Sequence, residues 1–318
     1  QTCKKVYHLG TSVLQYALTK PISEAHPDRY IQFFNLRLLA GDTLVYAPRS
    51  LSAMADALDA KAANWNAAFA ALADTEFYFY YIEKDTDINF ESGEKVGAYE
   101  YFAGQLTLPE GQCVRLQVDD LDTFRRWFYR TDHHWNYLGS YEGYLELHAL
   151  LGIEEEPLAP AETVTLSAPF SGSKARSSKA RSLSEPFTAY RFDYPAMEIT
   201  ANGKPAGDYG DQAAFLSGAR SDITYGNFYG GDLGEIIFDT GTTGRGSLLV
   251  IGESYDNAVL KLLAAHYDRT YSIDLRYYKN YMKQDFQLSA YLAEHGIDQV
   301  LLMGNIDYLT MTEFDLEV

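Results

Sequence analysis

The sequence predicts an α/β fold with a mainly parallel sheet flanked by helices. Residues 51–73 place apolar side chains at helical spacing, and the apolar run Glu76–Ile82 that follows has the composition of a buried strand. Near the C-terminus, further apolar strands are predicted at Ser247–Ile251, 271–275 and 300–303, with helical patterns between them. Strands that alternate with helices indicate parallel pairing with right-handed crossovers.

Residue types that commonly cap helices predict where the helices begin and end. Ser50 is expected to cap helix 51–73, and Asp120 to cap a short helix that runs through Arg126. The other expected boundaries are Ser140 as the cap of a helix to Leu151 with Gly152 beyond it, and a helix over 281–295 that is stopped by Gly296.

Residues 154–240 differ in composition from the rest of the chain. Prolines punctuate 154–186, and the pentapeptide SKARS occurs at 173–177 and again at 178–182. We interpret this stretch as a mobile basic loop; the alternative is a flap over an anionic group, formed by Lys174, Arg176, Lys179 and Arg181. Residues 187–240 are rich in Gly and Tyr and are predicted to form short strands and loops. The sequence therefore predicts a single domain over 1–318, with an insertion or substrate-facing lobe at about 154–240.

Charge and composition narrow the class of protein. The chain has 318 residues and a formal net charge of −18, so the phosphates of a nucleic acid would repel it. It contains 26 Tyr, whose flat rings and hydroxyls suit sugar surfaces as well as ordinary packing. Cys3 and Cys113 form no disulfide framework and no zinc-type spacing, and whether they pair is open. Because the chain starts at Gln1, we expect that a signal peptide or anchor has been removed.

Polar residues follow the carboxyl ends of the C-terminal strands. Ser254 comes after strand Ser247–Ile251, Arg276 after the next strand, and Asn305 after the last. Ligands of open parallel sheets bind outside these strand ends, so the three side chains are expected at one crevice. A Ser in a strand-to-helix turn offers a nucleophile and a backbone N–H for an oxyanion, although Ser at such a position is also a common helix cap.

The segment Asp132-His133-His134-Trp135 supplies the groups that a nucleophilic Ser requires. Serine needs a base, and the base needs a carboxylate that fixes its tautomer. Asp132 and His134 are two positions apart, so in an extended loop their side chains share a side while His133 points the other way. The alternatives are a structural hydrogen bond or a metal site made by all three residues. We expect no metal, since three consecutive residues do not easily surround one ion.

The segment Tyr129–Asn136, which reads YRTDHHWN, resembles the signature of the DHHW family of bacterial extracytoplasmic proteins. That family is related to alginate O-acetylation proteins with an SGNH-hydrolase-like fold. Gly252-Glu253-Ser254 resembles the Gly-Asp-Ser block of SGNH enzymes, with Glu253 in place of the usual Asp. The segment 274–277 resembles a further DHHW-family stretch, and Gly304-Asn305 loosely resembles the Gly-x-Asn-Asp block.

The resemblance implies an SGNH-like serine O-acetyltransferase or acetylesterase that acts on an extracytoplasmic polysaccharide and needs no cofactor. It implies Ser254 as nucleophile, His134 as base and Asp132 as the orienting carboxylate. Asn305, Arg276 and Tyr255 are the expected oxyanion or substrate-binding residues. It also implies a carbohydrate substrate and a membrane protein as acetyl donor. The alternative is a polysaccharide-binding or scaffolding module without turnover.

Overall fold

The computed structural model describes the backbone of residues 2–178, 180 and 182–318, and side chains from residue 10 onward. Gln1, Lys179, Arg181 and the side chain of Cys3 lie outside the described part. The helices are α1 Thr2–Ala25, α2 Leu51–Ala71, α3 Ala98–Ala103, α4 Leu121–Trp127, α5 Tyr137–Leu150, α6 Ser173–Ser177, α7 Gln212–Leu216, α8 Tyr225–Tyr229, α9 Leu260–Ala264, α10 Leu275–Met282, α11 Leu288–His295 and α12 Ile306–Thr310. The strands are β1 Ile31–Phe33, β2 Leu36–Leu39, β3 Thr43–Val45, β4 Glu76–Ile82, β5 Ile88–Asn89, β6 Glu94–Lys95, β7 Cys113–Leu116, β8 Glu162–Phe170, β9 Glu185–Arg191, β10 Glu198–Ala201, β11 Lys204–Pro205, β12 Glu235–Asp239, β13 Ser247–Ile251, β14 Arg269–Ile273 and β15 Gln299–Gly304.

The main sheet has eight strands in the order β11-β10-β12-β14-β13-β15-β4-β7. The five strands from β14 to β7 run parallel to one another, as predicted from the alternation of strands and helices. Strands β12, β10 and β11 continue the sheet in antiparallel pairing. Part of the predicted 154–240 lobe is therefore an edge of the main sheet. The assignment of residues 1–318 to one domain stays a prediction.

Helices cover both faces of the sheet, which explains why the strands β4, β13 and β15 are apolar at nearly every position. Along β4, Phe77, Phe79 and Tyr81 pack in the same core as Trp65 of α2. Alternate residues of β4, such as Tyr80, pack in a second core with residues of α5 and α9. Successive side chains of a strand point to opposite faces, so a strand buried on both sides shows no alternation of apolar and polar residues.

Several sequence-derived boundaries are confirmed. Strands Glu76–Ile82 and Ser247–Ile251 have the predicted ends, and Asp120 accepts a hydrogen bond from the backbone N–H of Thr123 as the cap of α4. Gly296 ends α11 in a left-handed conformation with φ of 62°. Ser50 lies at the cap position of α2 but makes no side-chain capping hydrogen bond there, and its hydroxyl bonds instead to that of Ser52.

Three boundaries are wrong. Helix α5 begins at Tyr137 and is capped by Asn136, whose side chain accepts from the N–H groups of Leu138 and Gly139, so Ser140 lies inside the helix. The expected helix over 281–295 is two helices, because Lys283 ends α10 in a left-handed conformation. The strand expected over 271–275 is Arg269–Ile273, since Asp274 already caps α10.

The expected loop over 154–186 contains a strand and a short helix. Strand β8 pairs with β9, and α6 covers the first SKARS segment. Lys174 is fully buried and forms an ion pair with Asp85 at 2.5 Å, so it is not available to an external anion. Arg176 donates to the carbonyl of Ser171. None of the described helices is long and apolar enough to span a membrane.

Candidate active site

Ser254 lies in the turn that leaves the carboxyl end of β13, which runs between β14 and β15 in the parallel part of the sheet. The turn is tight: a Cβ atom on Gly252 would approach the Asp256 carboxylate to 2.4 Å. The residues after Ser254 form a 3₁₀ turn at Asp256–Ala258, and the α-helix begins only at Leu260. Ser254 thus stands at the strand end as predicted, but the helical stretch after it begins with a 3₁₀ turn and not with an α-helix.

His134 reaches Ser254 from a loop 120 positions earlier in the chain. The loop lies between α4 and α5 and is closed by a β-bridge between Phe128 and Trp135. His134 Nε2 lies 2.8 Å from Ser254 Oγ, and His134 Nδ1 lies 2.7 Å from Asp132 Oδ1. These are hydrogen-bond distances, and they place the three groups in the order carboxylate, imidazole, hydroxyl.

The Asp132 carboxylate is buried and surrounded by donors. Its Oδ1 accepts from the backbone N–H of His134 at 3.1 Å, and its Oδ2 accepts from that of Ser173 at 2.6 Å. Burial by itself would raise the pKa of Asp132, but the charge and hydrogen bond of His134, with His133 and the Ser173 N–H, outweigh it. They hold the pKa of this carboxyl well below its usual range, so it stays ionised beside the imidazole.

His133 does not point away from His134 as expected. The two rings lie with centroids 3.8 Å apart, because the loop is not extended at this point. His133 Nδ1 is 2.5 Å from Ser173 Oγ, and the His133 carbonyl accepts from the hydroxyl of Tyr255. Burial, followed by the neighbouring His134, lowers the pKa of His133 well below its usual value. The neutral His133 side chain thus holds the loop against Ser173, and the His133 backbone holds it against Tyr255.

The segment 172–175 is a part of the site that the sequence analysis missed. A Cβ on Gly172 would come within 2.5 Å of Asp132, so only glycine allows this approach. Thr131 holds the segment, since its hydroxyl accepts from the N–H of Gly172 and its carbonyl from that of Ala175, both at 3.0 Å. Gly172, directly before the first SKARS segment, was the available signal, but no pattern in the sequence links it to Asp132, forty positions earlier.

Asn305 and Glu253 form a hydrogen-bonded pair next to the nucleophile. The Asn305 amide donates to Glu253 Oε1, while its oxygen accepts from the backbone N–H of Asp307 as the cap of α12. Burial raises the pKa of Glu253 to about 7, against the opposing charges of Lys84 and Arg276. An amide nitrogen carries two N–H groups, so the bond to Glu253 fixes the orientation of the other.

Arg276 and Tyr255 make contacts within the protein. The Arg276 guanidinium donates to both oxygens of Asp274, at 2.9 Å and 2.6 Å, and lies 3.4 Å from Asp232. Tyr255 is 1% exposed, and its hydroxyl donates a hydrogen bond to the His133 carbonyl. These side chains stabilise the strand ends around Ser254, and their role towards a substrate stays a prediction.

A cleft of about 460 Å³ lies beside His133. Lys84 and Arg49 both pair with Asp307 on its wall, and the Lys84–Asp307 distance is 2.9 Å. Its lining residues are Asn35, Tyr46, Ala47, Arg49, Lys84, Thr86, His133 and Asp307. The volume is in the range of small-molecule sites.

Asp132, His133 and His134 offer ligand atoms that all lie within 4.8 Å of one another, so a metal site at these residues has to be tested. Both ring nitrogens of His134 lie at hydrogen-bond distance from other groups, one from Asp132 and one from Ser254. A metal ion would have to displace one of these bonds. The absence of a metal stays a prediction.

Comparison with protein families matches residues 5–273 to the family described as DHHW protein. The chain belongs to the DHHW family. A DHHW family protein from Eubacterium siraeum is similar in structure, with a TM-score of 0.70 and 16% identity over 91% of this chain and 98% of the other.

Bacillus cereus PatB1, solved with a sulfonyl adduct, has a TM-score of 0.67 and 18% identity over 89% and 97% of the two chains. The O-acetyltransferase domain of Pseudomonas putida AlgJ aligns with a TM-score of 0.47 at 14% identity, over 83% and 87%. A search of curated proteins gives no match. The predicted family and the predicted fold class are confirmed.

Proposed function

We propose that this DHHW protein is a serine O-acetyltransferase or acetylesterase that works through an acetyl-serine intermediate at Ser254. The observation that carries the proposal is the relay from Asp132 through His134 to Ser254, with contacts of 2.7 Å and 2.8 Å. Serine becomes a nucleophile only when a positioned base takes its proton, and this relay supplies that base.

In the first step, Ser254 Oγ attacks the acetyl carbonyl of a donor while its proton passes to His134 Nε2. A C–O bond forms at Ser254, the bond to the leaving group breaks, and His134 returns its proton to that group. In the second step, His134 deprotonates an incoming hydroxyl, which attacks the acetyl-serine; the C–O bond to Ser254 Oγ breaks, and His134 returns the proton to Oγ. The hydroxyl of a sugar gives transfer, and water gives hydrolysis.

The tetrahedral intermediate of each step carries an oxyanion that needs donors. The backbone N–H of Ser254 and the side chain of Asn305 are the proposed donors, and no acceptor among the described residues bonds to the Ser254 N–H. Glu253 supports this role because it already holds one N–H of the Asn305 amide. Loss of one oxyanion donor typically raises the barrier by about 2.7–4 kcal/mol.

The substrate side of the proposal is an extracytoplasmic polysaccharide as acceptor. The cleft beside His133 combines an aromatic ring, Tyr46, with charged groups on its wall, and this mixture suits a polyhydroxylated ligand. An acetyl group delivered by a membrane protein is the proposed source of the donor, in line with what family resemblance implies. Both assignments depend on the acyl transfer chemistry at Ser254.

Turnover of an activated ester tests the proposal. Wild-type protein should release 4-nitrophenol from 4-nitrophenyl acetate, and a soluble oligosaccharide should gain acetyl groups if the protein is a transferase. Ser254→Ala should abolish both reactions, and Ser177→Ala, in α6, is the matched control. Because PatB1 carries a sulfonyl adduct, a sulfonyl fluoride is a second probe. Equal turnover by wild type and Ser254→Ala would refute the assignment.

A second candidate function, a polysaccharide-binding module without turnover, is favoured by one surface. This surface consists of partly buried aromatic rings that contact one another in a row beside two clefts, namely the rings of Tyr137, Tyr141, Tyr190, Phe192 and Tyr194. Such rings suit stacking against sugars. Sugar binding without any acylation of Ser254 would support this module, whereas ester turnover would support the enzyme.

A further inference from the structure

A tyrosine from the Gly/Tyr-rich region covers the face of the catalytic imidazole. The ring of Tyr225, the first residue of α8, lies parallel to the ring of His134, with centroids 3.7 Å apart and an angle of 1° between the planes. Tyr225 is 3% exposed, so no solvent separates the two rings. Full parallel overlap at this distance is a specific contact, since aromatic pairs more often adopt offset or edge-to-face arrangements.

The Tyr225 ring is itself held in place. Its hydroxyl accepts a hydrogen bond from Trp135 Nε1 at 3.1 Å and donates to the carbonyl of Tyr255 at 3.3 Å. Thr224 caps the helix by accepting from the N–H of Asn227 at 3.1 Å. Tyr225 thus joins the tryptophan of the DHHW segment to the residue that follows Ser254.

We propose that Tyr225 is a positioning residue that locks the His134 ring in the orientation needed to join Asp132 to Ser254. This inference rests on the proposed acyl transfer at Ser254. Rotation about the Cβ–Cγ bond of a histidine has broad minima, so hydrogen bonds at two ring atoms leave rocking motions that a stacked ring suppresses. The electron-rich face of the phenol also stabilises the imidazolium that forms when His134 takes the serine proton.

The titratable groups around His134 are compatible with a positioning role for the Tyr225 ring. The titratable groups that face it are Asp132 and His133 on its own loop, Tyr225 on α8 and Tyr255 beside the nucleophile. Burial raises the pKa of Tyr225 well above its usual value, so the stacked ring stays a neutral phenol. The ring therefore contributes its face, while Asp132 supplies the charge.

Two substitutions separate the ring from its hydroxyl. Tyr225→Phe keeps the stacked ring and loses the bonds to Trp135 and Tyr255, whereas Tyr225→Leu removes the ring. The matched control is Phe228→Leu, which removes an equally buried ring of α8 that packs on Phe187 and Phe215. We expect Tyr225→Leu to slow acylation by 4-nitrophenyl acetate by about tenfold or more, and Tyr225→Phe and Phe228→Leu to stay near the wild-type rate.

The pH profile and the NMR signals of the histidine give readouts that lost stability alone would not change. Without the stack the imidazolium is less stable, so the midpoint of the rate–pH curve should move to lower pH in Tyr225→Leu and stay in place in the control. In spectra of ¹⁵N-histidine-labelled protein, wild type and Tyr225→Phe should show one His134 tautomer. Tyr225→Leu should show a mixture of the two His134 tautomers.

The NMR result is read separately from activity, so it still decides the inference if wild-type Ser254 proves not to acylate. A single unchanged tautomer in Tyr225→Leu would overturn the positioning role, as would a Tyr225→Phe protein with a tautomer mixture. If Tyr225→Leu does not fold, Tyr225→Phe still tests the inference. This variant retains the stacked ring and should keep the single His134 tautomer, so a tautomer mixture in it would contradict the inference.

Discussion

The imidazole rings of His133 and His134 lie side by side with centroids 3.8 Å apart, yet only His134 contacts Ser254. His133 Nδ1 instead lies 2.5 Å from Ser173 Oγ. Proximity alone therefore does not identify the base, and the hydrogen-bond partner of each ring does. The two neighbours are expected to differ in role, with His134 in proton transfer and His133 in holding segment 172–175 against the loop.

Substitution of each histidine tests this difference. His134→Ala should lower acylation of Ser254 by about 10²–10⁴-fold, which is the usual contribution of a positioned general base. His133→Ala should cost far less, because it removes a brace and no proton acceptor for the serine. Both rates are measured with 4-nitrophenyl acetate at neutral pH. A larger loss in His133→Ala than in His134→Ala would mean that the base is the other residue.

Asp132→Asn should reduce turnover by as much as about 10⁴-fold while the fold is kept, because an amide that donates to Nδ1 stabilises the wrong tautomer of His134. Because a general base accepts the serine proton only in its unprotonated form, ester turnover by the wild type should rise with pH and then level off. Asp132 should add no second ionisation step to this pH profile, because its pKa is held well below its usual range and its carboxylate stays ionised. Full turnover with an unchanged pH profile in Asp132→Asn would show that Asp132 does not orient His134.

Glu253 gives a prediction about stability. Its pKa is raised to about 7 in the folded protein and is about 4.3 in an unfolded chain. Between these values the folded state binds more protons than the unfolded state, so this group makes the free energy of unfolding fall as pH rises from about 4.3 to 7. Glu253→Gln removes that contribution.

The unfolding midpoint of Glu253→Gln relative to wild type should therefore increase from pH 4.5 to pH 7 and then stay constant. Thermal unfolding followed by circular dichroism at several pH values measures this difference. Glu110→Gln, at an exposed position, is the control and should show no such trend. A difference between Glu253→Gln and wild type that is independent of pH would contradict the raised pKa.

Chelation tests whether the Asp132, His133 and His134 ligand atoms hold a metal. We expect EDTA treatment followed by gel filtration to leave ester turnover unchanged, because both His134 nitrogens already serve the relay. Activity that is lost on chelation and restored by Zn²⁺ or Mn²⁺ would show that a metal takes part.

The sequence predicts the parallel strands and the residues Asp132, His134 and Ser254 better than the contacts that surround these three side chains. Ser254, His134 and Asp132 could be found because strand ends and a short motif carry them. The stack of Tyr225 on His134 and the approach of Gly172 to Asp132 could not be found, because tertiary packing alone joins these residues, which are 91 and 40 positions apart in the chain. The sequence places Lys174 in a basic loop or a flap over an anion, because nothing in the sequence indicates that its charge is buried beside Asp85.

The central claim is that Ser254 carries the acyl group, and intact-mass analysis after brief exposure to an activated acetyl ester tests it most directly. Wild-type protein should gain one acetyl group, and peptide mapping should place it on Ser254. His134→Ala should gain it far more slowly, and Ser254→Ala should not gain it at that position. Equal labelling of wild type and Ser254→Ala, or a label mapped to another residue, would contradict the account.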